Sequence, residues 1–231
     1  MLWDFDKLEL LSYSKTFTTR FSGIKFSSSS KKIVTASKEK SDKSIRIWQT
    51  HDDLKLPPTL VCEMTDTSNL EAIGFIEMMN DSSLLTMPTQ EKTIKLWNIN
   101  KCKLMNQFMI NTSVSSIITA FKMINRDLLA FGESLRSSYS VTILNLTENA
   151  KTYLKFNTTG MVYELESSDN YLFMGMSSDT IQVLDIKNQF VLKQIIRKQS
   201  SSVFFISKIK LINENKLAGV SSSGEICIWH R

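Results

Sequence analysis

A chain of 231 residues, 42% of them hydrophobic and 22% charged, is long enough to bury a sizeable core and has the balance of an ordinary globular protein. Its 28 basic and 23 acidic residues leave a net charge of only +5, compatible with an acidic partner but also common among neutral binding modules. The longest apolar runs, such as Val203-Phe204-Phe205-Ile206, span about four or five residues and exclude a membrane-crossing helix, which needs about 20.

The chain opens on Met1-Leu2-Trp3-Asp4-Phe5-Asp6, with acids where a signal peptide would carry bases. Leu2-Trp3-Asp4 is also the tail of a motif that returns. Ser44-Ile45-Arg46-Ile47-Trp48, Thr93-Ile94-Lys95-Leu96-Trp97 and Glu225-Ile226-Cys227-Ile228-Trp229 are close copies, and Ser140 to Asn145 and Thr180 to Asp185 carry Leu144 and Leu184 in place of the indole. The Trp or its equivalent falls at positions 3, 48, 97, 144, 184 and 229, intervals of 40 to 49 residues. A period of about 40–45 residues with four short strands is the signature of propeller blades. The segments alternate with period two, whereas a helical repeat would place apolar residues at i, i+3, i+4 and i+7.

Each period reads as four strands. An alternating first strand (Gly23 to Phe26, Ala72 to Phe75, Ile117 to Phe121, Met161 to Leu165, Val203 to Leu211) leads through a polar turn to a continuously apolar second strand. The second strands are Ile33 to Ser37, Leu84 to Met87, Leu128 to Gly132, Leu172 to Met176 and Leu217 to Ser221. Runs of this kind predict burial on both faces of a sheet, as where blades stack. The recurring motif is the third strand. Lys7 to Ser14, Leu60 to Met64, Lys103 to Met109, Lys151 to Phe156 and Phe190 to Ile196 are the fourth. Alternation places Ile45/Ile47, Ile94/Leu96, Val141/Ile143, Ile181/Val183 and Ile226/Ile228 on one face, toward a neighbouring blade, and Arg46, Lys95, Thr142, Gln182 and Cys227 on the other beside the Trp or Leu.

On these residues the chain resembles the WD40-repeat family of β-propellers, whose third strand ends in Trp-Asp. Trp3-Asp4 matches in full; Trp48-Gln49, Trp97-Asn98 and Trp229-His230 keep the Trp, and Leu184-Asp185 keeps the Asp. The family's Asp before the third strand is matched by Asp42, with Glu91 substituting once and Ser138, Ser178 and Ser223 elsewhere. No Gly-His pair occurs, and the only histidines are His51 and His230, so the resemblance implies blades without the family's Asp-His network.

The expected fold is therefore all-β, a WD40-like propeller of four-stranded antiparallel blades forming a single domain over 1–231. The blade units are 16–64, 65–109, 110–156, 157–197 and 198–231, the last completed by, or continuing from, strand 1–15. Two readings of the ends stand side by side. Lys7 to Tyr13 can pair with Glu225 to His230 and close a five-bladed ring. Alternatively Leu2-Trp3-Asp4-Phe5 is a remnant of a further blade, and the chain is part of a longer propeller; the second reading is favoured because closure leaves those residues redundant.

Catalytic machinery is nearly excluded by pattern. No Gly-rich phosphate loop, Gly-x-Ser-x-Gly, His-Glu-x-x-His or metal-spaced acid run is present, so no catalytic residue, metal or cofactor is expected. His51-Asp52-Asp53 reads as a solvated turn before Pro57-Pro58. Cys62, Cys102 and Cys227 are far apart, odd in number and form no Cys-x-x-Cys. They suggest neither a disulfide framework nor zinc, and fit a reducing intracellular compartment, cytoplasmic before nuclear. Asn-x-Ser/Thr sequons at Asn80, Asn111, Asn145 and Asn157 then read as strand and turn composition.

Binding is expected on loops held by the scaffold. Two loops between second and third strands look long, Ser37 to Lys43 and Gly132 to Ser138. With the connections between blades they would carry Arg20, Lys38, Lys40, Arg136, Arg197 and Lys198 on one face. The expected function is a non-catalytic scaffold docking a protein partner within a multi-protein complex. The alternative is an adaptor for an anionic or phosphorylated partner, such as a ubiquitin-ligase substrate receptor or an RNA-associated subunit; nucleic acid is the less favoured partner, and no membrane is expected.

Overall fold

The computed structural model of the chain describes residues 2–4, 9–12, 20–27, 29, 31–53, 55–65, 72–88, 91–113, 115–197, 205–213 and 216–230. These residues form 21 strands and no helix. Every strand pair is antiparallel, and every sheet joins strands in sequence order. The chain divides into two compact units, Met1–Met109 and Ile110–Arg231.

In the first unit β1 (Leu2–Asp4) pairs with β2 (Glu9–Ser12). The first sheet is β3 (Phe21–Ser27), β4 (Lys32–Ser37), β5 (Ser44–Gln49) and β6 (Thr59–Thr65). The second is β7 (Ile73–Asn80), β8 (Ser83–Pro88), β9 (Thr93–Asn98) and β10 (Lys103–Met109). In the second unit the third sheet is β11 (Ile117–Met123), β12 (Leu128–Leu135), β13 (Ser138–Asn145) and β14 (Lys151–Thr158). The fourth is β15 (Val162–Ser167), β16 (Tyr171–Met176), β17 (Thr180–Asp185) and β18 (Val191–Arg197). The fifth holds three strands among the described residues, β19 (Ile206–Asn213), β20 (Lys216–Ser221) and β21 (Ile226–His230).

The expected all-β architecture of antiparallel blades is what forms, and the expected strands are all found within a few residues; Val203 and Phe204, expected in the fifth first strand, lie outside the described residues. One local expectation is corrected. Gly132 to Ser138 is not a long loop: β12 and β13 run on to Leu135 and Ser138, which pair across a two-residue turn. The polar residues that suggested a loop are satisfied across strands, since Glu133 accepts hydrogen bonds from Lys155 Nζ at 2.7 Å and Ser140 Oγ at 3.4 Å. Of the Lys7 to Tyr13 segment the described part, β2, pairs with β1, and Trp3↔Leu10 repeats the Trp48↔Leu60, Trp97↔Leu104 and Leu184↔Leu192 pairs of third with fourth strands. The register slip beside each pair recurs too, so β1–β2 has the form of half a blade.

Within each unit the predicted faces meet. Val34, Ala36, Ile45 and Ile47 of the first sheet pack on Ile73, Ile76, Leu84 and Trp97 of the second. Ala130, Val141 and Ile143 of the third pack on Leu165, Leu172, Met174 and Leu184 of the fourth, and Ile181 and Phe173 of the fourth on Ile209, Leu217 and Trp229 of the fifth. One rule covers all three interfaces: the isoleucine face of a sheet is covered by the tryptophan or leucine face of the next. Burying each such side chain contributes about 1.5–3 kcal/mol, which makes these faces the main source of cohesion.

The tryptophan face also shows why the motif tolerates leucine. Trp48 Nε1 donates to Thr35 Oγ1 at 3.0 Å and Trp97 Nε1 to Thr86 Oγ1 at 2.9 Å, so the buried indole is satisfied from the adjacent second strand. Relative to the residue paired with the motif position, the same site holds Phe131 where the indole becomes Leu144 and Met174 where it becomes Leu184. At Trp229 it holds Gly219, where an added Cβ would sit 2.6 Å from the indole ring. A small partner accompanies Trp48, Trp97 and Trp229, and a large one Leu144 and Leu184. Close packing requires that trade.

The cysteine expectation is overturned. Cys62 of β6 and Cys102 of the β9–β10 turn form a disulfide with Cα atoms 6.4 Å apart, inside the ordinary range, leaving Cys227 free. A sequence separation of 40 residues hides the pairing, but stacking of successive sheets brings a fourth strand beside the next sheet's turn.

Two outcomes follow from this packing. Trp97→Ala is expected to destabilise by about 3–5 kcal/mol and Gly219→Ala by about 1–3 kcal/mol in chemical denaturation, the first by leaving a cavity and the second by overpacking the indole. Alkylation of the unfolded protein should label one cysteine before reduction and three after. Cys62→Ser should cost about 4 kcal/mol, the chain-entropy figure for a loop of this length.

Candidate functional site

Three of the six cations expected to form a binding face lie together at one end of the first sheet. Arg20 precedes β3, and its carbonyl accepts the Lys38 N–H at 2.8 Å, tying the segment before the sheet to the loop between β4 and β5. Its side chain is 88% exposed and its Nε stands 4.0 Å from Glu39 Oε1. Lys38 and Lys40 are exposed on the same loop. The loop is closed on itself, because the Asp42 N–H donates to the Glu39 carbonyl at 3.1 Å and the Glu39 N–H to Ser37 Oγ at 3.2 Å.

Beneath this loop Asp42 stands where the family resemblance places it, with a different partner. Arg46 Nη1 donates to Asp42 Oδ2 at 3.1 Å and Arg46 Nε to Glu63 Oε2 at 2.9 Å, while the Ser44 N–H donates to Asp42 Oδ1 at 3.3 Å. Partial burial works against the Arg46 charge, but its hydrogen bonds to the Glu63 and Asp42 carboxylates outweigh it and hold its pKa above the ordinary value. Asp42 therefore links the loop to the third and fourth strands through an arginine, where the family would use a histidine. His51 and Asp52 lie in the expected turn, with Asp52 ion-paired to Lys31.

The other three expected residues belong to the second unit. Arg136 is the first residue of the two-residue turn between β12 and β13, exposed and at a φ of 54°. Arg197 ends β18, its backbone paired with Thr180, and Lys198 lies outside the described residues. Arg136 and Arg197 thus sit at the ends of their sheets near the start of the third strands.

A second polar arrangement was missed by motif reading. Lys25, Glu77, Lys122, Glu166 and Lys210 occupy one position on the five first strands, each paired across to the second-strand residue after the one that faces the Trp or its equivalent. Their signs alternate. Within the first unit Lys25 ion-pairs with Glu77. Within the second, Lys122 Nζ lies 3.0 Å and Lys210 Nζ 2.9 Å from the two oxygens of Glu166, whose side chain is 8% exposed. Burial alone would raise the Glu166 pKa, but Lys122 and Lys210 outweigh it and hold the carboxyl below its ordinary range. The signal was available in sequence: aligning the repeats by their third strands puts these residues in one column.

Among the described residues no group of three or more His, Cys, Asp or Glu could hold a metal ion, and no helix is long and apolar enough to cross a membrane. No protein-family model matches the chain. No curated protein matches its sequence. Among solved structures the chain is similar to the crystal structure of the RRP9 WD40 repeats, with a TM-score of 0.72 and 16% identity over 94% of this chain. It spans 62% of that chain's length. The fold is thereby established as a WD40-type β-propeller fold; identity at this level speaks to the fold alone.

The Lys–Glu–Lys contact gives stability a defined pH dependence. With a folded pKa below the unfolded value near 4.5, the Glu166 contribution is complete above that value and lost as pH falls through the lower, folded one. Glu166→Gln should lower stability at neutral pH by about 1–2 kcal/mol, discounted because Lys210 is largely exposed. It should also flatten the loss of thermal midpoint between about pH 5 and about pH 3.

Proposed function

We propose that this protein is a non-catalytic interaction scaffold that docks a protein partner, within a multi-protein complex, on the loop-bearing end of its sheets. Propellers of the WD40 type generally mediate protein interactions and are typically non-catalytic. The observation that carries the reading is the backbone hydrogen bond from Lys38 to Arg20, which fixes two loops of different origin into one exposed cationic platform. The two strands that the loop joins, β4 and β5, are mostly buried, so the platform is held without its side chains being consumed by the core.

A second reading, recognition of an anionic or phosphorylated partner such as a ubiquitin-ligase substrate or an RNA, is favoured by the 88% exposure of the Arg20 side chain beside the exposed Lys38 and Lys40. An intracellular location stays part of the proposal. The Cys62–Cys102 disulfide counts against a strongly reducing compartment and is the feature by which the location is to be checked.

Affinity purification of the full chain and of an Arg20→Glu, Lys38→Glu, Lys40→Glu variant tests the platform. Loss of the partner by about tenfold, with thermal stability changed by no more than about 0.5 kcal/mol, is expected; equal capture by both would overturn the proposal. Affinity that falls steeply with added salt selects the anionic or phosphorylated partner, and affinity indifferent to salt selects the first reading.

A further inference from the structure

The Cys62–Cys102 disulfide ties down a strand that little else holds. Among the described residues β6 is the last strand of its sheet and pairs with β5 alone. Of its seven side chains only Met64 is buried, whereas β4 and β5 beside it are mostly buried. The β5–β6 ladder also slips between the Ile47↔Cys62 and Trp48↔Leu60 pairs, so regular pairing is interrupted next to the cysteine. A strand with one buried side chain, an unpaired edge and an interrupted ladder belongs to the low end of local stability.

The other end of the bond is fixed independently of it. Cys102 is the residue immediately before β10 and has a φ of 50°. Ala150 and Phe190, immediately before β14 and β18, adopt the same left-handed conformation at 57° and 61° with no crosslink. Asn98 Oδ1 also accepts the Asn100 and Lys101 N–H groups, at 2.9 and 2.8 Å. The turn therefore keeps its shape when the bond opens, and the strand that gives way is β6. Both cysteines are only half-buried. Exposed Lys101 and Lys103 flank Cys102, and Lys32 Nζ donates to Asn100 Oδ1 of the same turn. Positive charge beside a cysteine favours the thiolate, the form that attacks and leaves in thiol exchange.

We propose that Cys62–Cys102 is a reversible redox catch: oxidised, it clamps β6 to the second sheet; reduced, it lets β6 fray from β5 and draws Glu63 away from Arg46. In the oxidising direction the Cys102 thiolate attacks hydrogen peroxide, the O–O bond breaks, and a sulfenic acid and hydroxide result. The Cys62 thiolate then attacks that sulfur, the S–S bond forms and a second hydroxide leaves; both hydroxides take up protons as water. Two electrons pass from the sulfurs to the peroxide. In the reducing direction a dithiol reductant attacks the Cys62 sulfur, and Cys102 leaves as thiolate and is protonated. The reductant's second thiol then displaces Cys62 as a thiol and closes its own disulfide. Inside a reducing compartment a disulfide opens and closes rather than persists; the catch rests on the intracellular reading for its reductant alone.

The test uses the full chain carrying Cys227→Ser, treated with dithiothreitol without denaturant and then alkylated. Cys62 and Cys102 should be labelled at a rate that urea below the unfolding transition changes by less than about twofold, because the opening is local. In short deuterium pulses, which report local opening, the β6 amides should exchange about tenfold faster in the reduced protein and those of β4 less than about twofold faster. Hydrogen peroxide should restore the slow exchange. A reduction rate that climbs steeply with urea, β6 exchange unmoved by reduction, an equal rise in β4, or failure of peroxide to close the bond in the folded protein overturns the proposal. Reduction leaves both cysteines in place, so no substitution at either is needed. None of these measurements involves a partner, so the catch and the loop platform stand or fall separately.

Discussion

The structure depends on one repeated contact, the isoleucine face of a sheet lying against the tryptophan or leucine face of the next. Among the described residues it is the interaction that buries the most apolar surface, with Ile45, Ile47, Leu84, Val141, Ile143, Leu172 and Ile181 all fully buried at these contacts. Its directionality matters. The two faces of a blade differ in kind, so sheets can stack in only one sense, and the first strands are drawn together while the fourth strands stay at the exposed margin with Leu60, Met105 and Val191 open to water. Loops and charges then occupy places that the packing has already set.

The charged residues on the first strands show the same logic in electrostatic form. Glu77 and Glu166 are buried to a degree that would be costly for a lone carboxylate; Lys25 pairs with the first, and Lys122 and Lys210 with the second. These contacts add less cohesion than the apolar faces, but they discriminate. An apolar face accepts many sheets of suitable shape, whereas alternating charge accepts those of one sign. Apolar burial holds the sheets together; the lysines and glutamates select which sheet is the neighbour.

Most of the strands were legible in the sequence because period-two alternation and the recurring third-strand motif are both local signals. The exchange of Thr35 or Thr86 for Phe131 or Met174 was also there, in residues one strand away from the motif, though only packing explains it. What escaped reading depended on contacts between repeats. Glu133 and Ser134 look like loop residues until Lys155 and Ser140 are seen to satisfy Glu133 in mid-sheet. Cys62 and Cys102 look unrelated until stacking brings their sheets together. Of the candidate platform, the residue types were legible, while the bond joining Arg20 to Lys38 was not, since the sequence places them 18 residues apart.

The disulfide has a mechanical consequence. If the chain is pulled from its two ends, tension travels across the Cys62–Cys102 bond and bypasses the 40-residue span between them. That span is most of the second sheet, and at about 3.5 Å per extended residue it withholds roughly 140 Å of contour length while the bond is intact. The oxidised molecule would therefore be a shorter and stiffer tether than the reduced one, with the second sheet shielded from load and the remaining sheets left to yield first.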